Sequence, residues 1–164
     1  MTTTRSLALT PRWSTTFDDY VTTARWSASG TALAAGSLSG EVAAAVAQRT
    51  RSFSNGNASR VAQDPQVLQV VGSLRAAAYS AGAIVLKTAE ALERAYQARL
   101  GADDHAVRQA VDIAELEIAQ SQTVVSELIL DASSRMFDAL SASATLRPLG
   151  LDRFWRNART LTSH

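Results

Sequence analysis

Asp64-Pro65-Gln66-Val67-Leu68-Gln69-Val70-Val71-Gly72-Ser73-Leu74 is the stretch on which the fold turns. The Asp64 carboxylate can accept hydrogen bonds from the unpaired N–H groups of a first helical turn. Pro65 at the first helical position gives up nothing, because its missing N–H had no partner there. Behind this start Val67, Val71, Leu74, Ala78, Ala81, Val85, Leu92 and Tyr96 recur at steps of mostly three and four. That spacing predicts one long amphipathic helix over Pro65–Leu100.

Toward the carboxy terminus, Gly101-Ala102-Asp103-Asp104 ends this helix and supplies acidic caps for another. The apolar positions Val107, Val111, Ala114, Ile118, Ser121, Val125, Leu128, Ala132 and Met136 carry the second long helix to about Leu140. At about 1.5 Å per residue each helix is roughly 50 Å long. The short turn makes them antiparallel, and alanines on both stripes permit close, left-handed bundle packing. Helices of this length bury surface against a second bundle or another subunit. A small-residue turn, Ser141 to Ala144, follows, and Asp152 is placed to cap a last short helix, Arg153 to about Thr160.

Toward the amino terminus, Arg51 to Ser59 is a polar, glycine-containing connector. Ahead of it Thr31–Gln48 is alanine-rich, with Leu33, Leu38, Val42 and Val46 at helical intervals and Gly36 and Gly40 weakening its start. Residues 1–29 differ: Trp13 to Thr23 is dominated by β-branched and aromatic side chains, which favour a strand. The expected fold is all-α, an up-down bundle of two long antiparallel helices, a shorter leading helix and a short C-terminal helix. The first 29 or so residues are expected to be irregular or remnant β.

The chain has 164 residues, 46% of them hydrophobic and 19% charged, a net charge of +1 and no cysteine. One domain fits that length. The balanced charge without basic blocks points to no nucleic acid and no anionic membrane surface as partners. The lack of cysteine excludes disulfides, zinc–thiolate sites and thiol nucleophiles, and suits a cytoplasmic location. Met1 to Pro11 is too short in its apolar run for a signal-peptide core. Lys87 is the single lysine among sixteen basic residues, a bias that GC-rich coding explains.

Chemistry-bearing residues are sparse. His105 sits beside two aspartates at a helix start and reads as solvated; Glu115 and Glu117 diverge around their helix and read the same way. With His105 and His164 about 60 residues apart and no cysteine, no metal site is expected. No phosphate loop or nucleophile elbow is present. The richest stretch is Asp152-Arg153-Phe154-Trp155-Arg156-Asn157-Ala158-Arg159-Thr160. It reads either as a capping helix that packs Phe154 or Trp155 while arginine stems cover apolar surface, or as a site for an anion or cofactor.

Ala144-Thr145-Leu146-Arg147, followed by Gly150-Leu151-Asp152-Arg153-Phe154-Trp155-Arg156-Asn157-Ala158-Arg159-Thr160-Leu161-Thr162-Ser163-His164, resembles the carboxy-terminal signature of one family. These are the flavin-dependent monooxygenases built on the acyl-CoA dehydrogenase fold, of the dibenzothiophene monooxygenase type. Asp64-Pro65 resembles the family's opening of the second bundle helix, Arg51-Ser52-Phe53 the element ahead of it, and Thr15 to Asp19 the last strand of its middle β-domain.

The resemblance implies that residues 1–29 end a middle β-domain and residues 30–164 form the C-terminal helical bundle. It implies reduced FMN as cofactor, with FAD the alternative, bound only in a complete assembly. That assembly is a tetramer-type homo-oligomer, or this chain with a complementing N-terminal and β-domain chain. By the same resemblance Arg51 contacts the flavin phosphate of a neighbouring subunit, and Phe53 packs beside the cofactor. Ser141, Ala142 and Ser143 form the turn whose backbone approaches it, where the family often has glycines. His164 lies near the flavin ring and assists oxygen activation or substrate deprotonation. The tail presents no carboxylate base, which favours a monooxygenase over a dehydrogenase. On this reading the chain is a truncated or split product, inactive alone. The competing reading, which needs only the alanine-rich amphipathic helices, is a non-enzymatic helical interaction or scaffold module.

Overall fold

The computed structural model describes residues 13–50, 56–101 and 103–163, with side chains from residue 30 onward. Among the described residues there are four α-helices and no strand: α1 Trp13–Gln48, α2 Pro65–Arg99, α3 Asp104–Leu140 and α4 Asp152–Thr162. Single 3-10 turns, Val61–Gln63 and Ser141–Thr145, lead into α2 and out of α3. The two long helices end within one residue of their expected limits.

The helix starts are built as the acidic residues require. Asp64 Oδ1 accepts the Gln66 N–H and Oδ2 the Asn57 N–H, both at 2.9 Å, so one carboxylate caps α2 and ties down the connector before it. Asp103 Oδ1 does the same for α3, accepting from His105 and Ala106. Asp152 departs from expectation: Leu151 is the capping position of α4, without a side-chain cap. Asp152 is the first helical residue, where its charge suits the dipole and pairs with Arg156.

The amino-terminal expectation is corrected. Residues 13–29, read as extended or remnant β, are helical, and the leading helix is not short: α1 runs 36 residues through Gly30, Gly36 and Gly40. Strand preference is largely a preference for a pleated, paired surface, and no partner strand exists among the described residues. Extending the helix of residues 31–48 toward the amino terminus costs far less than starting a new one. Residues 1–12 lie outside the described residues.

The main core joins all four helices at one end of the bundle. Leu38, Val42 and Val46 of α1 meet Val67 and Leu74 of α2, Ile129, Met136 and Leu140 of α3, and Phe154 and Ala158 of α4. Near the α2–α3 turn a smaller cluster of Ala91, Ala95 and Ala114 takes over. The seam follows a seven-residue period, with Val67, Leu74, Ala81, Thr88 and Ala95 buried on α2 and Ile118, Val125, Ala132 and Ala139 buried on α3. A strict sevenfold repeat keeps a left-handed pair in register, whereas a three-four tracing drifts around the helix. Tyr96, expected on the core stripe, is accordingly exposed beside buried Ala95.

Between the two clusters, Thr88 and Ser121 are buried and hydrogen-bond hydroxyl to hydroxyl across the seam. Thr88 Oγ1 spends its one proton on Ile84 O at 3.0 Å, so the Ser121 hydroxyl is the donor across the seam. Glu117 is likewise not simply solvated: its half-buried carboxylate pairs with Lys87 Nζ at 3.1 Å. Glu115 and His105 are exposed, as expected.

The Asp64 cap makes stability depend on pH. The Asn57 N–H first, then those of Gln66 and Val67, hold its carboxyl below the ordinary carboxylate value against the opposing effect of burial. A depressed folded-state pKa adds stability above the unfolded value of about 4, which is lost as pH falls through the folded one. Thermal melts of wild type and Asp64→Asn should therefore show the wild type more stable at pH 7. The gap should close below about pH 4.

Candidate functional site

Two chain segments meet where α1 and α3 end. The last carbonyls of α3 lack intrahelical partners, and the nearby Arg49 guanidinium answers one of them, Nη1 donating to Leu140 O at 2.9 Å. Arg51 and Phe53 follow two and four residues along the chain from Arg49, outside the described residues. The turn that leaves α3 at this point is Ser141–Thr145.

That turn is held in an unusual shape. Ser141 has φ 53° and ψ −147°, a region that glycine enters freely and other residues enter at a cost of about 1–3 kcal/mol. Its N–H donates to Phe137 O, and Thr145 Oγ1 donates to Ala142 O at 2.7 Å. Ala144 is buried, Ser143 half-buried, and Ser141 and Ala142 stay exposed. Ser141, Ala142 and Ser143 thus stand at the surface of the bundle, directly after the Leu140 carbonyl that Arg49 holds. A glycine-like backbone carried by a serine is the feature that sequence reading could not supply.

The arginine-rich tail divides by helix face. Phe154, 7% exposed, and Ala158, one turn later, enter the core, while Trp155 is 39% exposed and Asn157 lies outside. Arg153 fastens α4 to α1: Nη2 meets Glu41 Oε1 at 2.5 Å and Oε2 at 2.6 Å, and Nη1 donates to Gly150 O at 2.7 Å. Its guanidinium also lies 4.5 Å from the centre of the Phe154 ring. Gly150 has φ +55°, the left-handed turn from which α4 starts. Arg156 pairs with Asp152, and Arg159 lies 5.6 Å from the Trp155 ring centre.

Of the two readings of this stretch, the capping helix is the one the geometry supports, and the arginines are engaged within the chain. Glu41, 112 residues from Arg153, and Arg49, 91 residues from Leu140, had no signal in the sequence for these contacts. His164 lies outside the described residues, directly after α4 and its capping Ser163. Among the described residues no group of three histidine or carboxylate side chains could hold a metal ion.

Residues 23–164 match the family model of the acyl-CoA dehydrogenase C-terminal domain. SfnC of Pseudomonas putida, named a probable FMNH2-dependent monooxygenase, is 31% identical over 119 residues, covering 71% of this chain and 29% of that protein. Dibenzothiophene monooxygenase of Mycolicibacterium goodii is 26% identical over 116 residues, covering 71% of this chain and 27% of its own. The crystal structure of TdsC from Paenibacillus sp. A11-2 with FMN and indole aligns with a TM-score of 0.73 at 25% identity, over 86% of this chain and 34% of that one. TdsC is also a dibenzothiophene monooxygenase. The chain spans under a third of the length of the curated relatives it matches.

Proposed function

Because this chain belongs to the acyl-CoA dehydrogenase C-terminal-domain family, with flavin monooxygenases as its relatives, we propose that it is the oligomer-building, flavin-contacting bundle of a reduced-flavin monooxygenase. The observation that carries the reading is the match over residues 23–164, which takes in most of α1, the turn after α3 and the α4 tail together. A bare scaffold module does not call for that combination. Bound reduced FMN would supply the electrons for oxygen chemistry, and the residues of this chain bind, orient and shield it.

Arg51 presents a fork of donors suited to the flavin phosphate of a neighbouring subunit. Phe53 covers the cofactor's edge, and Ser141, Ala142 and Ser143 approach it through their backbone. This fits the exposed turn with its glycine-like Ser141 conformation. His164 stands near the ring, where a neutral imidazole can accept a proton or an imidazolium donate one. The bundle, residues 30–164, assembles as a cytoplasmic homo-oligomer.

A domain exchange tests this. Residues 23–164 are placed in the Paenibacillus dibenzothiophene monooxygenase in place of its own matching bundle. The chimera is expected to assemble, to bind FMN, and to oxygenate substrate when reduced FMN is supplied. A chimera that folds and assembles yet binds no FMN would overturn the proposal.

A further inference from the structure

One peptide sets the shape of the turn that leaves α3, and a residue from the end of another helix holds it. The peptide joins Leu140 to Ser141. Its N–H donates to Phe137 O, and its carbonyl accepts Arg49 Nη1 at 2.9 Å, from 91 residues away in the chain. Both polar ends are therefore held, and the peptide plane cannot turn over without breaking two hydrogen bonds. The hold is anchored on either side. Arg49 N–H donates to Val46 O at 3.3 Å, which ties its backbone to the end of α1, and Val46 and Leu140 are buried in the same core cluster.

Rotation of this peptide is what would change the turn. Leu140 has φ −117° and ψ −8°, and Ser141 has φ 53°. A half-turn of the plane between them alters only the ψ of Leu140 and the φ of Ser141, and takes that φ to roughly −130°. Both residues then lie in or near the extended region, which leucine and serine enter freely. The observed shape thus has a relaxed alternative one rotation away, opposed by the two bonds to this peptide. Of these the Arg49 bond is the stronger, because its donor is charged. No basic residue lies in the last turn of α3, so Arg49 also supplies the cation that the end of the helix dipole favours. Beyond Ser141 the turn is tied to itself: Thr145 Oγ1 donates to Ala142 O at 2.7 Å and Leu146 N–H to Ser143 O at 3.2 Å. The direction in which it leaves α3 is therefore set at Ser141.

We infer that Arg49 is a positioning residue for the cofactor site: through the Leu140–Ser141 peptide it fixes the backbone of Ser141, Ala142 and Ser143 in the shape that meets FMN. The inference rests on the reading above that this turn faces the cofactor, and adds to it a residue that acts through the turn's backbone.

Arg49→Met, Ser141→Gly and the two combined test it by two readouts. The first is hydrogen exchange at the amide of residue 141 in the 164-residue chain, corrected for the intrinsic rate of each sequence. Arg49→Met should lower protection there at least about tenfold, because the peptide can then turn its N–H away from Phe137 O. Adding Ser141→Gly should restore most of it, since glycine keeps a positive φ without penalty. The second readout is FMN affinity in the domain-exchanged monooxygenase. It should follow the same order, weakened at least about tenfold by Arg49→Met and mostly recovered in the double variant, as expected when binding draws on a preformed shape. Arg49 is half-buried and Ser141 exposed, and circular dichroism checks that the variants fold.

Protection at residue 141 that Arg49→Met leaves unchanged overturns the inference. So does a loss of FMN affinity that Ser141→Gly does not repair, because a charge acting directly on the flavin phosphate is lost whatever the backbone does. FMN affinity indifferent to all three variants, while protection falls and recovers, overturns the assignment of this turn to the cofactor and leaves the hold of Arg49 on the peptide standing.

Discussion

Replacing Phe154 with alanine should release α4 from the bundle. Burial of a phenylalanine ring is worth about 3–5 kcal/mol on truncation, and Phe154 is the largest side chain by which α4 enters the core. Two other forces could hold the helix, and neither is large enough. The Arg153–Glu41 pair is more than two-fifths exposed on both partners, which limits it to about 1 kcal/mol. The eleven residues of α4 are too few for a helix to persist alone, since isolated helices below about 12–15 residues are marginal in water. Hydrogen exchange of Phe154→Ala should therefore show protection lost over residues 152–162 while the α2–α3 seam keeps its own. Unchanged protection in α4 would mean that the polar contacts dominate.

Replacing His164 with alanine should have the largest effect on rate. In the domain-exchanged monooxygenase, His164→Ala should lower kcat by about 10²–10⁴-fold, the range for removal of a positioned acid or base. FMN affinity should change little. An imidazole that exchanges a proton only during oxygen or substrate chemistry adds nothing to binding of the resting cofactor. A loss of FMN affinity with kcat retained at saturating flavin would assign His164 to cofactor anchoring. Retention of both would remove it from the site.

Much of the bundle was legible because its signals are local. Asp64 before Pro65 and Asp103 before α3 are caps whose chemistry acts within three residues, and the apolar spacing of α2 and α3 follows from one helical period. What escaped depends on distant contacts. The β-branched run Trp13 to Thr23 expresses a preference that binds only if a partner strand is present, and the helix continued through it. The drift from Ala95 to Tyr96 reflects supercoiling, a property of two helices together. Glu41 as the partner of Arg153, and Lys87 as the partner of Glu117, join residues on different helices that no spacing rule connects.

The candidate site divides the same way. Ser141, Ala142 and Ser143 were named from the family resemblance alone, and the structure adds the backbone shape of that turn. The tail showed which residues matter without showing which way they face. Phe154 and Ala158 turned inward, and Trp155 stayed at the surface.

The Ser141 conformation has a mechanical consequence. A serine does not adopt glycine's backbone angles unaided, so the turn is a loaded spring held by the elements on either side, including the Arg49 clamp on the last carbonyl of α3. Linkage works in both directions. Anything that binds this turn in its strained shape also tightens the junction of α1 with α3, and anything that loosens that junction lets the turn relax out of its binding shape. Occupancy at the tip of the bundle and cohesion along its length are then one equilibrium, observed at two places.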